Sequence, residues 1–133
     1  MLENDVAALD INGQRLWLAG LSDEWEGKPE LTGTLAKITD QSPVIALTHN
    51  PDLFPRLPSY IALTLAGHTH GGQCVFPFIG RPIVPSKFGQ RYAAGYLIED
   101  QKSLFVTSGL GTSILPVRFG VPPEIALLKL VSP

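Results

Sequence analysis

Two short apolar runs, PVIALTH at residues 43–49 and SYIALTLAG at residues 59–67, constrain this chain more than any other feature. Each is bounded by turn-forming residues and reads as a buried strand. The first ends on His49, and the second runs directly into GHTHGGQC, residues 67–74. All three histidines of the chain, His49, His68 and His70, thus lie where an apolar strand gives way to a loop. Strand ends are rigid and face clefts, so they suit chemistry. Neutral imidazole is a common ligand for zinc, manganese or iron. A lone strand-end histidine is more often a hydrogen-bonded residue, and an H-x-H pair alone is a weak signal. Three of three in one short region point to a metal site. If the second strand continued through residue 70, His68 and His70 would share a face. Gly67, Gly71 and Gly72 permit positive φ and let the backbone pass close to an ion.

The rest of the chain reads as further strands with few, short helices. VAALDINGQRLWLAG is a hairpin closed by Asn12-Gly13. PELTGTLAKI, with Pro29 suited to the first helical position and Leu31, Leu35 and Ile38 on one face, predicts a short helix weakened by Gly33. Asn50-Pro51 reads as the cap and first turn of a short helix through Phe54. Residues 71–90 form a long Gly/Pro-rich loop, which at that length is usually functional. Two strands follow, YAAGYLIED and SLFVTSG, then a loop, then a last strand, EIALLKLV, at residues 124–131. The expectation is a single α/β unit over residues 1–133.

Composition narrows the function. Apolar residues make up 44% and charged residues 17%. A charged share below the roughly 25% of an average domain implies a surface not meant to face water. A net charge of −2 and sparse aromatics leave no footprint for nucleic acid. One cysteine, Cys74, allows no intrachain disulfide and no cysteine-based zinc knuckle; it reads as a small packed residue or, alternatively, a reactive or metal-adjacent thiol. No run approaches the roughly 20 apolar residues of a membrane span. The N-terminus carries no signal-peptide pattern.

ALTHNPD followed by LAGHTHGGQ resembles the last two motifs of the calcineurin-like metallophosphoesterases. The resemblance continues through LAGLSDEW, PFIGRPIVPSKFGQRYAAGYL and LFVTSGLGTSILPVRFGVPPEIALLKL, and covers nearly the whole chain. It is nearest to a bacterial subgroup of small, often membrane-associated phosphohydrolases. The implied fold is the C-terminal half of a four-layer α/β/β/α sandwich. The implied activity is phosphoester hydrolysis by water activated between two divalent ions, manganese, zinc or iron, which in such sites lie about 3.5–4 Å apart. By the same resemblance, His49 and His68 bind the second metal and His70 the first.

The earlier motifs of that family, D-x-H, G-D and G-N-H, are absent from this sequence. The bridging carboxylate, the asparagine ligand and the general-acid histidine are therefore missing, and no catalytic residue is assigned in this chain. Asp23, Glu24 and Asp52 could add a carboxylate locally, but their spacing does not require it. The expectation is a half-domain that is incompetent alone, with one apolar face left to pair with a missing N-terminal half or a second copy. The alternative is a non-catalytic metal-binding or pairing module. Lys87 and Arg91 are candidate contacts for a phosphate or an anionic lipid head, against a reading as solvated loop charges, and Arg118 is similar. Trp25 covers either the substrate cleft or the hairpin. The substrate is a phosphorylated small molecule or a lipid-linked phosphate.

Overall fold

The computed structural model describes residues 1–131. Strand β1 (Asp5–Ile11) and strand β2 (Gln14–Gly20) form the expected hairpin, with Ile11 opposite Gln14. Asn12 and Gly13 have φ of 50° and 80°, the two positive values that a two-residue turn between twisted strands demands. Strand β3 (Val44–Leu47), strand β4 (Ile61–Ala66), strand β5 (Gly95–Glu99) and strand β6 (Lys102–Val106) complete one six-stranded sheet of order β1-β2-β3-β4-β6-β5. The pairs β2–β3, β3–β4 and β4–β6 are parallel, and β1 and β5 close the edges antiparallel. All three parallel pairs end at the same edge of the sheet, which is where loops converge in sheets of this kind.

One face of the sheet is covered. Trp17, Ala19, Val44, Ala46, Ala66, Leu104 and Val106 point to it and are buried against Phe54, Leu57 and Tyr92. Helix α1 (Leu31–Leu35) lays Leu31 and Leu35 on this cluster, joined by Ile38. The helix is shorter than the span 29–38 that its spacing predicts. Pro29 lies before the cap residue Glu30, no side chain caps the first turn, and after Ala36 the chain tightens into turns such as Ile38 N–H to the Leu35 carbonyl at 3.2 Å. The Asn50-Pro51 helix is a 3₁₀ segment, Pro51–Arg56, with the Asn50 side chain accepting from the Asp52 N–H at 2.9 Å. Lys102 reaches across from the start of β6 and donates to the carbonyls of Phe54, Pro55 and Leu57 at 3.3, 3.1 and 3.1 Å. It thereby satisfies the end of that segment.

The opposite face is open. Leu9, Leu16, Leu18, Leu65, Phe105, Tyr96 and Ile98 share it by register, and none of them is buried. Tyr96 and Ile98 are 61% and 66% exposed. This is a strand-rich α/β half-sandwich with one covered apolar face and one left largely uncovered, Ile45 of β3 being buried on the latter. The last strand expected from the sequence does not form: residues 124–131 pair with no strand among the described residues. Only Glu124 is anchored, by its N–H to the Gly109 carbonyl and its carboxylate to Thr107. Leu127 is 97% exposed. A strand needs a partner for its backbone groups, and this run pairs with neither outer edge of the sheet, β1 or β5. No helix among the described residues is long and apolar enough to cross a membrane.

Candidate metal centre

The parallel register of β3 and β4 places Leu47 opposite Leu65, so the two chains leave the sheet side by side. The ladder runs on past the strands. Thr48 N–H donates to the Leu65 carbonyl at 3.0 Å, and Gly67 N–H donates to the His49 carbonyl at 3.0 Å. The second bond fixes the backbone of one histidine to the residue preceding another. At His68 the chain turns left-handed, with φ of 67°. That turn brings the His68 ring to His49: Nδ1 of His68 faces Nε2 of His49 at 3.0 Å, with ring centroids 4.8 Å apart.

Because β4 ends at Ala66 and both His68 and His70 have positive φ, the strand does not continue to residue 70. The shared face conditional on that continuation is therefore not formed. His70 opens a tight 3₁₀ turn, His70–Gly72, and makes no ring contact with His49 or His68. Gly71 is required there: at its φ of 63° an added Cβ would stand 2.8 Å from Val121. Positive φ at two non-glycine residues two positions apart is uncommon, and such strain concentrates at functional sites.

The loop after β2 reaches the same edge, since Leu21 N–H donates to the Leu47 carbonyl at 2.9 Å. It carries Asp23, Glu24 and Trp25. The Trp25 ring meets His68 edge-on at 4.5 Å while 58% exposed, so it covers the histidine cluster rather than the hairpin. Sequence left its placement open because the contact depends on the order of neighbouring strands. Oδ1 of Asp23, Oε2 of Glu24 and Nε2 of His68 are buried without a hydrogen-bond partner. Unsatisfied buried polar atoms are rare, and three of them stand together at this edge of the sheet.

These residues fit a divalent ion in part. Two ligand nitrogens about 2.1 Å from one ion and at right angles to each other stand about 3.0 Å apart. The facing nitrogens of His49 and His68 match that edge of a coordination shell, and two unpaired carboxylate oxygens lie on the adjacent loop. No group of three or more such side chains among the described residues is arranged as a complete site. Burial lowers the pKa of His68, helped by the neighbouring His49 and opposed by the carboxylates of Asp23 and Asp52. Burial, followed by the Arg118 guanidinium, lowers that of His70 against a hydrogen bond to the Gly111 backbone. Both shifts favour the neutral imidazole, the form that binds metals.

The remaining candidates separate. Lys87 pairs with Glu24 at 3.0 Å, beside the histidine cluster. Arg91 instead pairs with Glu99 at 2.8 Å and lies over the Tyr92 ring. Glu99 pairs with Lys102 at the start of β6, so Arg91 is held at the sheet edge opposite the histidines. Asp52 is occupied by Ser86 Oγ and the Lys87 N–H at 2.5 and 2.8 Å, a tie that anchors the long loop. Arg118 donates to the carbonyls of Ser108 and Gly109 at 2.7 and 3.1 Å and acts as a loop clamp. Cys74 lies half-buried in the backbone bridge to Phe119.

Among curated proteins, the chain is 38% identical over 122 residues to the metallophosphoesterase YkuE of Bacillus subtilis, covering 91% of this chain and 42% of that protein. It is 31% identical over 136 residues to the phosphodiesterase YaeI of Escherichia coli, covering 98% and 47%. A metallophosphoesterase of Aquifex aeolicus is 31% identical over 121 residues, covering 91% and 42%. The chain spans about half the length of the curated relatives it matches. No family profile matches it, and no solved structure matches it.

Proposed function

Since the chain belongs to the calcineurin-like metallophosphoesterase family, we propose that it contributes His49, His68 and His70 to a two-metal centre that hydrolyses phosphoesters. The observation that carries this reading is the 3.0 Å approach of His68 Nδ1 to His49 Nε2 at the ends of two parallel strands. Divalent ions bound there would polarise the phosphoryl oxygens and supply hydroxide from water near neutral pH. His49 and His68 would hold one ion between their facing nitrogens, and His70, set apart by its own turn, would hold the other. Trp25 screens one side of His68 from water. Lys87, resting on Glu24 beside the histidines, would meet an anionic substrate; Arg91, paired with Glu99 at the other edge, would not.

We further propose that this chain does not hydrolyse phosphoesters alone. Its donors supply imidazole and at most two loop carboxylates, too little anionic charge for two divalent ions. The rest of the coordination, and the cover for the open sheet face, would come from the other half of a complete domain. The uncovered face also favours a second reading, a non-catalytic pairing module.

The test is hydrolysis of bis-p-nitrophenyl phosphate with Mn²⁺. It compares the chain alone with a chimera joining it to the part of the Bacillus relative that it does not match. Turnover by the folded chimera only, abolished by His68→Ala, is expected. Turnover by the chain alone would overturn the claim of incompetence. A folded chimera without turnover would overturn the hydrolase reading and leave the pairing module.

A further inference from the structure

An apolar groove of about 360 Å³ opens beside His70. Phe76, Ile83 and Pro85 of the long loop line it together with Ile114 and Leu115 of the loop after β6. The groove is built, since the two loops are tied to each other. The Gln73 side chain donates to the Leu115 carbonyl at 2.8 Å and accepts from the Ser113 N–H at 2.7 Å. Val75 N–H donates to the Phe119 carbonyl at 2.7 Å, Phe119 N–H donates to the Gln73 carbonyl at 3.0 Å, and the rings of Phe76 and Phe119 stack at 5.1 Å.

The rim is apolar where a water-facing loop would be polar. Ile83 is 77% exposed, and Ile114 is fully exposed with φ of 64°. A left-handed β-branched residue is a genuine outlier, and its surroundings must hold it there. Contiguous exposed apolar surface of this kind marks a binding site. The imidazole of His70 lines the groove, and the rest of its lining is mostly hydrocarbon.

We propose that the groove seats the apolar portion of an amphiphilic phosphoester whose phosphate group lies at His70. The phosphate end of this assignment rests on the phosphoesterase reading; the groove end does not. Such a ligand is a free alkyl phosphoester or a phospholipid drawn from a bilayer, and the two share the chemistry recognised here.

Binding is read by calorimetry on the purified chain with ethyl, hexyl, octyl and dodecyl phosphate, each below its critical micelle concentration. Affinity is expected to rise roughly tenfold for about every two methylenes added until the groove is full. Ile83→Asp should weaken dodecyl phosphate at least about tenfold. Ile98→Glu, on the open sheet face, should leave its affinity unchanged. Co-sedimentation with phosphatidylcholine vesicles, with and without phosphatidic acid, assigns the source. Retention on phosphatidic acid that Ile83→Asp removes supports a bilayer lipid, and dodecyl phosphate binding without retention supports a free amphiphile. Equal affinity for ethyl and dodecyl phosphate, or a chain-length effect that Ile98→Glu removes and Ile83→Asp does not, overturns the proposal. Because binding is measured without turnover, a chain-length effect can stand where hydrolysis fails, and the reverse.

Discussion

Nδ1 of His68 and Nε2 of His49 face one another across 3.0 Å, although nineteen residues separate them in sequence. The approach is set by backbone bonds, chiefly Gly67 N–H to the His49 carbonyl, and not by the rings alone. If His49 and His68 share an ion as proposed, the pair is already ordered for it.

Binding of a paramagnetic or absorbing divalent ion to this pair should quench Trp25, whose ring touches His68 at 4.5 Å. Trp17 is buried and donates to Asp40 at 2.9 Å, so a Trp17→Phe background isolates the signal. Titration with Co²⁺ or Mn²⁺ is expected to quench the remaining emission. His49→Ala and His68→Ala should each weaken the apparent affinity by about 10–100-fold or more. Quenching unchanged in both variants would place the ion elsewhere.

Stability should fall as the pH drops from about 7 to 5. The lowered pKa values of His68 and His70 mean that the unfolded chain, whose histidines titrate near about 6.5, binds more protons than the folded one. Stability is therefore full above that unfolded value, is lost as the pH falls through it, and levels off below the folded values. Asp40 contributes a separate loss in stronger acid. Hydrogen bonds from Ser42 and Trp17 hold its carboxyl well below the usual range, so its contribution persists until the pH falls below the ordinary carboxylate value. Guanidinium denaturation at pH 7.5 and 5 measures the first loss. It should shrink in a His68→Gln, His70→Gln double variant, and an equal loss there would remove the histidines as its cause.

The sheet was largely legible in the sequence because its signals are local. Asn12-Gly13 set a two-residue turn and the register of β1 and β2, and the apolar runs around Val44 and Ile61 became strands within one or two residues of their expected limits. The site was legible in its residue types and less so in its geometry. Positive φ at His68 and His70 has no sequence signature, since most side chains disfavour it, yet it is what separates His70 from the other two. Trp25 over His68 and Arg91 against Glu99 depend on which strands are neighbours, a non-local property. EIALLKLV carries a strand pattern and forms no strand, because pairing needs an edge that the pattern itself does not provide.

Lys102→Met should destabilise the fold by about 2–3 kcal/mol without touching the histidines. The Nζ group is buried and shared among the carbonyls of Phe54, Pro55 and Leu57, and it lies 5.0 Å from the Phe54 ring centre. Methionine keeps much of the packing and strands those acceptors. The expected signature is a lower denaturation midpoint with the m-value unchanged. A midpoint shift under about 0.5 kcal/mol would mean that water replaces the ammonium there at little cost.

The open sheet face should drive the isolated chain to associate. Leu65, Phe105 and Tyr96 lie side by side in register across β4, β6 and β5, with Ile98 on the same face of β5 and Leu18 on the same face of β2, and none of them is buried as the residues packed under Phe54 and Tyr92 are. Contiguous apolar surface on this scale is rare on soluble monomers, and its removal from water favours any partner able to lie flat on it. Sedimentation velocity over a hundredfold range of concentration should show mass rising with concentration. Tyr96→Glu with Ile98→Glu should restore the monomer without lowering the melting temperature, since both side chains are more than half exposed. A wild-type chain that stays monomeric and melts cooperatively throughout that range would show that the face is tolerated in water as it stands.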